Sequence, residues 1–212
     1  MNFESNADQY FSCLQTLLQN ILSSPVVDQQ LALACMVSLP LEKAFAAFKS
    51  GMATIGKDFA RLVAVADVGA MSGRIWAQRT FQVDCEFLSM NARWWHQLSL
   101  LNIPFEEAPF RASRNGEYQV QFIAPLLKHT DLDILTCLEF ASDYNVGHDP
   151  VYFEYIKALM NTGPGVVKNS EYQSCIMGVY PDITNRQLLS QLLEKDVLAK
   201  IWPYDYPRNT QF

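Results

Sequence analysis

The chain has 212 residues, half of them hydrophobic (50%) and only 18% charged, below the roughly 25% charged of an average soluble domain. Its formal net charge of −6 and pI near 5.0 argue against a general phosphate-binding surface, which needs clustered Lys and Arg, and leave room only for a local basic patch. So little charge predicts more buried surface than a free monomer needs, as where neighbouring repeats or partner subunits cover some faces.

The length fits one compact domain, two small ones or part of a longer array. Cys13, Cys35, Cys85, Cys137 and Cys175 are odd in number and scattered, without a CxxC pair, and read as reduced, buried thiols of an intracellular protein. Met1 to Tyr10 carries Glu4 and Asp8 and has no secretory pattern. The most apolar stretches, Leu31 to Leu41 and Leu62 to Met71, fall short of the ~20 residues a bilayer requires.

From Asp8 to Leu22 the apolar residues Tyr10, Leu14, Leu17, Leu18 and Ile21 step by three and four, predicting an amphipathic helix. Ser24 and Pro25 form a cap-then-proline signature, so a second helix is expected from Pro25 to Ser38. Pro40 should separate it from a third, Leu41 to Lys49. Gly51 and Gly56 loosen the next connection, and Phe59, Leu62, Val63 and Ala66 form another helical face. Ala44, Ala46, Ala47, Ala60, Ala64 and Ala66 permit close helix approach. Ser72 and Gly73 open a longer helix through Ile75, Trp76, Phe81, Phe87, Leu88, Trp94 and Trp95.

Pro104 and Pro109 stop regular structure, and Pro104 to Tyr118, with Glu106, Glu107, Arg111, Arg114, Asn115 and Gly116, reads as a long exposed loop. Tyr118 to Ile123 alternates like a strand but has nothing to pair with, so coil or the start of a helix at Pro125 is expected. Leu126 to Met160 then reads as a helical hairpin. Thr130 caps its first helix, whose apolar face is Leu132, Leu135, Cys137 and Leu138. Asn145, Val146 and Gly147 end that helix. Asp149 is the expected N-cap of the second, with Pro150 at its first position and Val151, Tyr155, Ile156 and Leu159 inward. After the breaker Asn161 to Gly165, further helices are expected at Ser170 to Tyr180 and Asn185 to Ile201, and Pro203 and Pro207 end the pattern.

Helices of this length joined by short turns predict an all-α fold of stacked helical hairpins, an α-solenoid segment. The expected division is residues 1–103 as N-terminal helical repeats, 104–124 as a connection, and 125–212 as C-terminal helical repeats. No strict sequence repeat is present.

Chemical motifs are sparse. Gly51 to Asp58, GMATIGKD, nearly matches a phosphate-binding loop, but Asp58 would repel phosphate and helix precedes it where that motif needs a strand. His96, His129 and His148 have no His or Cys three or four residues away, so no zinc pattern forms. No nucleophile motif is present, and Glu106 beside Glu107 reads as a solvated pair. No catalytic residue, metal ligand or cofactor is therefore assigned. Trp94 and Trp95 fit core packing or a protein interface, and lack the basic surround of a base-stacking platform. Arg111 and Arg114 read as exposed residues that could grip an acidic partner.

The run Leu198 to Tyr206, LAKIWPYDY, preceded by ITNRQLLSQLLEKDV and FEYIKALMNTGPG, resembles the C-terminal region of the Rod (Rough deal) family. These are large kinetochore subunits of the Rod, Zwilch and Zeste-white-ten complex. The shared features are Cys137 and Phe140 in a CxxF helix, a helix ending in Leu159 and Met160, and Pro203-Tyr204-Asp205-Tyr206. The similarity is best from Ile123 to Tyr206; upstream only the helical pattern and the Leu39-Pro40 step fit. Trp202 departs from the acidic residue expected before that motif.

The resemblance implies a segment of a very long, non-enzymatic scaffold, found in the cytoplasm and at kinetochores in mitosis. Its complex supports the spindle checkpoint and brings in dynein through an adaptor, with no direct nucleic acid or membrane partner. On this reading Trp94, Trp95, Arg111, Arg114, Trp202, Tyr204 and Tyr206 are the candidate protein-interface residues. A vesicle-tethering or coat-type solenoid shares every helical pattern above. A small helical enzyme or enzyme regulator using Arg111 would instead require a concave pocket with convergent polar groups.

Overall fold

Ten α-helices and one short 3-10 turn follow one another in the computed structural model, which describes residues 3–113, 116–130, 133–161 and 183–192. There is no strand among the described residues, in agreement with the expected all-α class. The chain divides into two compact units, Met1–Phe105 and Glu106–Phe212.

In the first unit, α1 (Phe3–Ser23) is followed by α2 (Gln29–Ser38), α3 (Leu41–Ala53), α4 (Phe59–Ile75) and α5 (Arg79–Leu100). α2 begins four residues later than Pro25, because Asp28 supplies the stronger cap: its carboxylate accepts from the Leu31 N–H at 3.0 Å, offsetting an unpaired donor of the first turn. Pro40 sits at the cap position of α3. Asp58 caps α4 by accepting from the Arg61 N–H at 3.1 Å. GMATIGKD is thus the end of α3, a turn with Gly56 at φ +60°, and a helix cap. The Arg61 guanidinium donates to the Ser23 carbonyl at 3.2 Å and the Thr54 carbonyl at 2.8 Å. One cation thereby serves the carboxyl ends of α1 and α3, where the helix dipoles favour positive charge.

The long helix expected to open at Ser72 and Gly73 does not open there. Ser72 folds its hydroxyl back to the Val68 carbonyl at 2.7 Å, and α4 runs on to Ile75. The break comes at Trp76 to Gln78. There the Gln78 N–H donates to the Gly73 carbonyl at 2.8 Å and the Ala77 N–H to the Arg74 carbonyl at 3.2 Å, a Schellman closure with Ala77 at φ 54°. Gly73 is used for proximity instead. A Cβ there would lie 2.9 Å from the Gln82 backbone nitrogen, and one at Gly69 would lie 2.6 Å from Cys85 Sγ and 2.7 Å from the Phe48 ring. α4 and α5 pack along each other, α2 packs on α4, and α1 packs on α2 and α3. Leu18, Leu22, Met36, Trp95 and Leu98 are fully buried between them.

The second unit contains α6 (Glu107–Ala112), the 3-10 turn Gln119–Phe122, α7 (Ile123–His129), α8 (Ile134–Asp143), α9 (His148–Asn161) and α10 (Arg186–Leu192). The stretch expected as a long exposed loop therefore contains a helix. Phe110 is fully buried, with ring centroids 5.4 Å from Tyr118, 4.9 Å from Phe122 and 5.6 Å from Tyr144. The buried Gln119 amide donates to the Phe110 carbonyl at 3.1 Å and the Ser113 carbonyl at 3.4 Å. Tertiary burial outweighs the two prolines here, because Pro109 falls in a first turn, where no N–H is needed.

The hairpin from Leu126 to Met160 is present with different caps. Thr130 ends α7 by donating its hydroxyl to the Leu126 carbonyl at 2.8 Å, and Asp133 caps α8 by accepting from the Leu135 N–H at 3.0 Å. Leu135 points outward, 72% exposed, so Cys137, Phe140 and Ala141 form the buried face. Asn145 closes α8 at φ 54°, with the Val146 N–H donating to the Ala141 carbonyl at 2.8 Å. α7 and α8 both pack on α9. The expected Ser170 to Tyr180 helix, the NTGPG breaker after Asn161, and everything beyond Leu192 lie outside the described residues.

Two substitutions test this account. Gly73→Ala should lower the unfolding free energy by about 1–3 kcal/mol, since its methyl meets backbone that cannot yield cheaply. Ala77→Gly should raise it by up to about 1 kcal/mol, because relief of the left-handed strain exceeds the added freedom of the unfolded chain. Urea unfolding measures both, and a Gly73→Ala protein as stable as the parent contradicts the close approach.

Candidate functional site

The second unit carries an open, mainly apolar groove of about 480 Å³. The 3-10 turn and α7 form one side through Val120, Ile123 and Ala124, and α9 and α10 the other through Pro150, Phe153 and Leu188. Val120 and Leu188 remain 41% and 44% exposed. At its rim Lys157 donates to Glu154 at 2.7 Å, one turn apart on α9. The two charges compensate each other, so the groove presents hydrophobic area with a neutralised edge. Such a surface suits apolar side chains of a protein partner.

A clasp lies at the start of α9. Asp149 does not cap its own helix as expected. Its Oδ1 accepts from the Thr184 N–H at 3.0 Å, and its Oδ2 accepts from the Thr184 hydroxyl at 2.6 Å and the Asn185 N–H at 3.0 Å. Asn185 in turn caps α10, its Oδ1 accepting from the Leu188 N–H at 3.0 Å. Beside the clasp Ile183 is 3% exposed, in a cluster with Tyr152, Phe153 and Ile156. The adjacent His148 has its Nε2 3.1 Å from the Ser142 hydroxyl. Desolvation pushes the Asp149 carboxyl up, but the bonds from Thr184 and Asn185, with the nearby His148, outweigh it and hold the group below its ordinary value.

The candidate interface residues read from sequence do not converge on this groove. Trp94 and Trp95 are in the core of the first unit, 6% and 0% exposed; Trp95 stacks on Phe105 with centroids 6.4 Å apart and meets Phe59 edge-on at 5.7 Å. The interface reading of this pair is therefore corrected, since rings that fill the interior offer no area to a partner. Arg111 is at the surface of α6, 3.6 Å from Glu107 one turn away. Arg114, Trp202, Tyr204 and Tyr206 lie outside the described residues. His129 and His148 are exposed, and Glu107 is engaged with Arg111. Among the described residues no group of three His, Cys, Asp or Glu could hold a metal ion, and no helix is long and apolar enough to cross a membrane. The clasp had one sequence signal, the Thr-Asn pair before a leucine-rich helix, but its acceptor lies 35 residues away.

The thiols divide into two kinds. Cys35, Cys85 and Cys137 are buried, whereas Cys13 is exposed, contrary to the expectation that all are buried; Cys175 lies outside the described residues. Burial first, then Asp84 and Glu86, pushes Cys85 up to about 12, and burial with Asp133 does the same for Cys137. Such thiols hold their protons and react slowly.

Paired helices that bury one stripe against their neighbours define a helical-repeat protein, an α-solenoid segment. The family model described as "KNTC1 third ARM-repeats domain" matches residues 11–209, and the chain belongs to that family. It is 26% identical over 203 residues to Kinetochore-associated protein 1 of Mus musculus, and 25% identical over 202 residues to Kinetochore-associated protein 1 of Homo sapiens. Each match covers 90% of this chain and 9% of the relative, so the chain spans about a tenth of the relatives' length. No solved structure matches it.

Two measurements follow. In a Cys175→Ser protein, a thiol reagent at pH 8 should modify Cys13 rapidly and the other cysteines only on unfolding; rapid loss of Cys85 contradicts its burial. Because the Asp149 value is lowered in the folded state, its stabilisation is complete above the ordinary carboxylate value of 3.8 and is lost as pH falls toward the native value. The stability gap between parent and Asp149→Asn should accordingly be full at pH 7 and shrink below about pH 4 in acid-unfolding curves.

Proposed function

We propose that this chain is a non-enzymatic scaffold segment of a mitotic kinetochore complex. The observation that carries the reading is the family match over residues 11–209, joined by the similarity to two proteins named Kinetochore-associated protein 1. The fold supports it chemically. Stacked helices display long surfaces without a constellation of acid, base and nucleophile among the described residues, and the apolar groove on the second unit is suited to a protein side chain.

Within this reading the complex supports the spindle assembly checkpoint, and the protein subunits Zwilch and Zeste-white-ten are the partners, with dynein reached through an adaptor. The site of action is the kinetochore in mitosis, with a cytoplasmic pool. Arg111 and Arg114, with Trp202, Tyr204 and Tyr206, are the residues through which the segment contacts those subunits. The Rod-like Pro203-Tyr204-Asp205-Tyr206 run supports the last three, because aromatic residues flanked by prolines make strong interface anchors.

Affinity capture from mitotic extract, followed by mass spectrometry, tests the proposal. Zwilch and Zeste-white-ten should be enriched with the intact chain, and a Tyr204→Ala/Tyr206→Ala variant should recover less of them, by about tenfold for a lost anchor worth 1–2 kcal/mol. Recovery of membrane-tethering factors in their place would falsify it and favour a vesicle-tethering solenoid.

A further inference from the structure

We infer that the corner of the first unit where α3, the end of α4 and the start of α5 meet is a docking surface for an acidic segment of a partner protein, one that carries an aromatic or long aliphatic side chain. Three rings form it. Phe45 lies 5.4 Å from Trp76 and 4.8 Å from Phe81, edge to face in both pairs, and Trp76 lies 6.5 Å from Phe81. Each of the three is half-buried, and the buried Phe48, 5.3 Å from Phe81, ties them to the core. Ile75, next to Trp76, is 59% exposed. Large rings that touch one another and still reach solvent offer rigid apolar area at little entropic cost, which is what interface anchors supply.

The charges at this corner set the sign of the partner. Arg74, near the end of α4, has its side chain 72% exposed and lies 3.4 Å from Glu86, whose carboxylate also accepts from the Gln82 amide at 2.8 Å. Arg79 opens α5, is exposed, and has no ion pair among the described residues. On α3, the exposed Glu42 and Lys49, three residues before and four after Phe45, offset each other. A cation at the first position of α5 opposes the positive end of a helix of 22 residues, where the dipole favours a carboxylate. Nothing in that turn compensates it, since Gln78 makes no side-chain cap and the first turn holds no acidic residue. A side chain that works against its own helix is expected where it serves a partner. A carboxylate brought by the partner answers both Arg79 and the helix end, while its apolar side chain packs on Trp76 and Phe81. The surface belongs to the first unit alone and is independent of the complex the chain serves.

Selection of random phage-displayed peptides on the full chain, followed by fluorescence anisotropy of the labelled peptides recovered, tests this. Recovered sequences should pair Asp or Glu with Phe, Trp or Leu. Trp76→Ala should weaken their binding at least about tenfold, as for a lost anchor. Arg79→Glu should weaken it about threefold or more and make it less sensitive to salt. Arg79→Glu also separates binding from folding, because its carboxylate suits the helix start and its urea midpoint should equal or exceed that of the parent. Leu188→Glu, on the groove of the second unit, should leave binding unchanged. Should Trp76→Ala fail to fold, Arg79→Glu decides. The inference is overturned if no peptide is recovered, if the peptides lack acidic residues, if Arg79→Glu binds them like the parent, or if Leu188→Glu abolishes binding. A parent dimer in sedimentation that Trp76→Ala separates overturns it as well, by giving the corner to a second copy of the chain.

Discussion

Close approach of α4 and α5 at Gly69 and Gly73 is the constraint on which the first unit depends. At Gly69 the space a methyl group would occupy is taken by Cys85 of α5 and Phe48 of α3, and at Gly73 by the backbone of α5 itself. Three helices therefore meet at one small-residue stripe, and the large side chains, Trp95 and Leu98 above all, fill the remaining interior. Interiors pack at crystal-like density, so a single methyl at such a crossing displaces backbone as well as side chains. The Ser89 hydroxyl, donating to Asp67 at 2.6 Å, adds a polar tie between the same two helices.

The second unit meets the same need with shorter elements. α6 has six residues and α7 seven, too few to persist alone, because helix nucleation is costly and isolated short helices are marginal in water. Their order comes from what they bury: Phe110 among Tyr118, Phe122 and Tyr144, and Leu126 and Leu127 beneath α9. The Gln119 amide secures two carbonyls at the end of α6. Ahead of α10, Thr184 and Asn185 donate to the Asp149 carboxylate, and Ile183 is buried beside Tyr152, Phe153 and Ile156.

Surface, more than any single reactive group, is what such an architecture offers. A helix pair spends one stripe on its neighbours and leaves ridges and grooves outward, and family membership places this chain among armadillo-type repeats related to kinetochore-associated proteins. Because the chain spans about a tenth of those relatives, its contribution is that of one segment. The groove walled by Phe153 and Leu188 is an apolar concavity of the second unit.

Much of this was legible in the sequence by itself. The three-and-four spacing of Tyr10, Leu14, Leu17, Leu18 and Ile21 defined α1, although Tyr10 and Leu17 prove exposed; Pro40 and Asn145 marked helix ends, and the CxxF and Pro-Tyr-Asp-Tyr runs pointed to the family, because each depends on neighbours within a few residues. Caps were harder, since Asp28 and Asp133 compete locally with Ser24 and Thr130, and only the packed chain decides which carboxylate or hydroxyl reaches an unpaired N–H. Tertiary structure alone made a helix of Glu107–Ala112 inside the stretch expected as loop, by burying Phe110. It alone drew Trp94 and Trp95 inward and turned Asp149 from a helix cap into a clasp for Thr184. In each case the deciding partner lies beyond the span over which helical periodicity carries information, so burial and long-range hydrogen bonding made the choice.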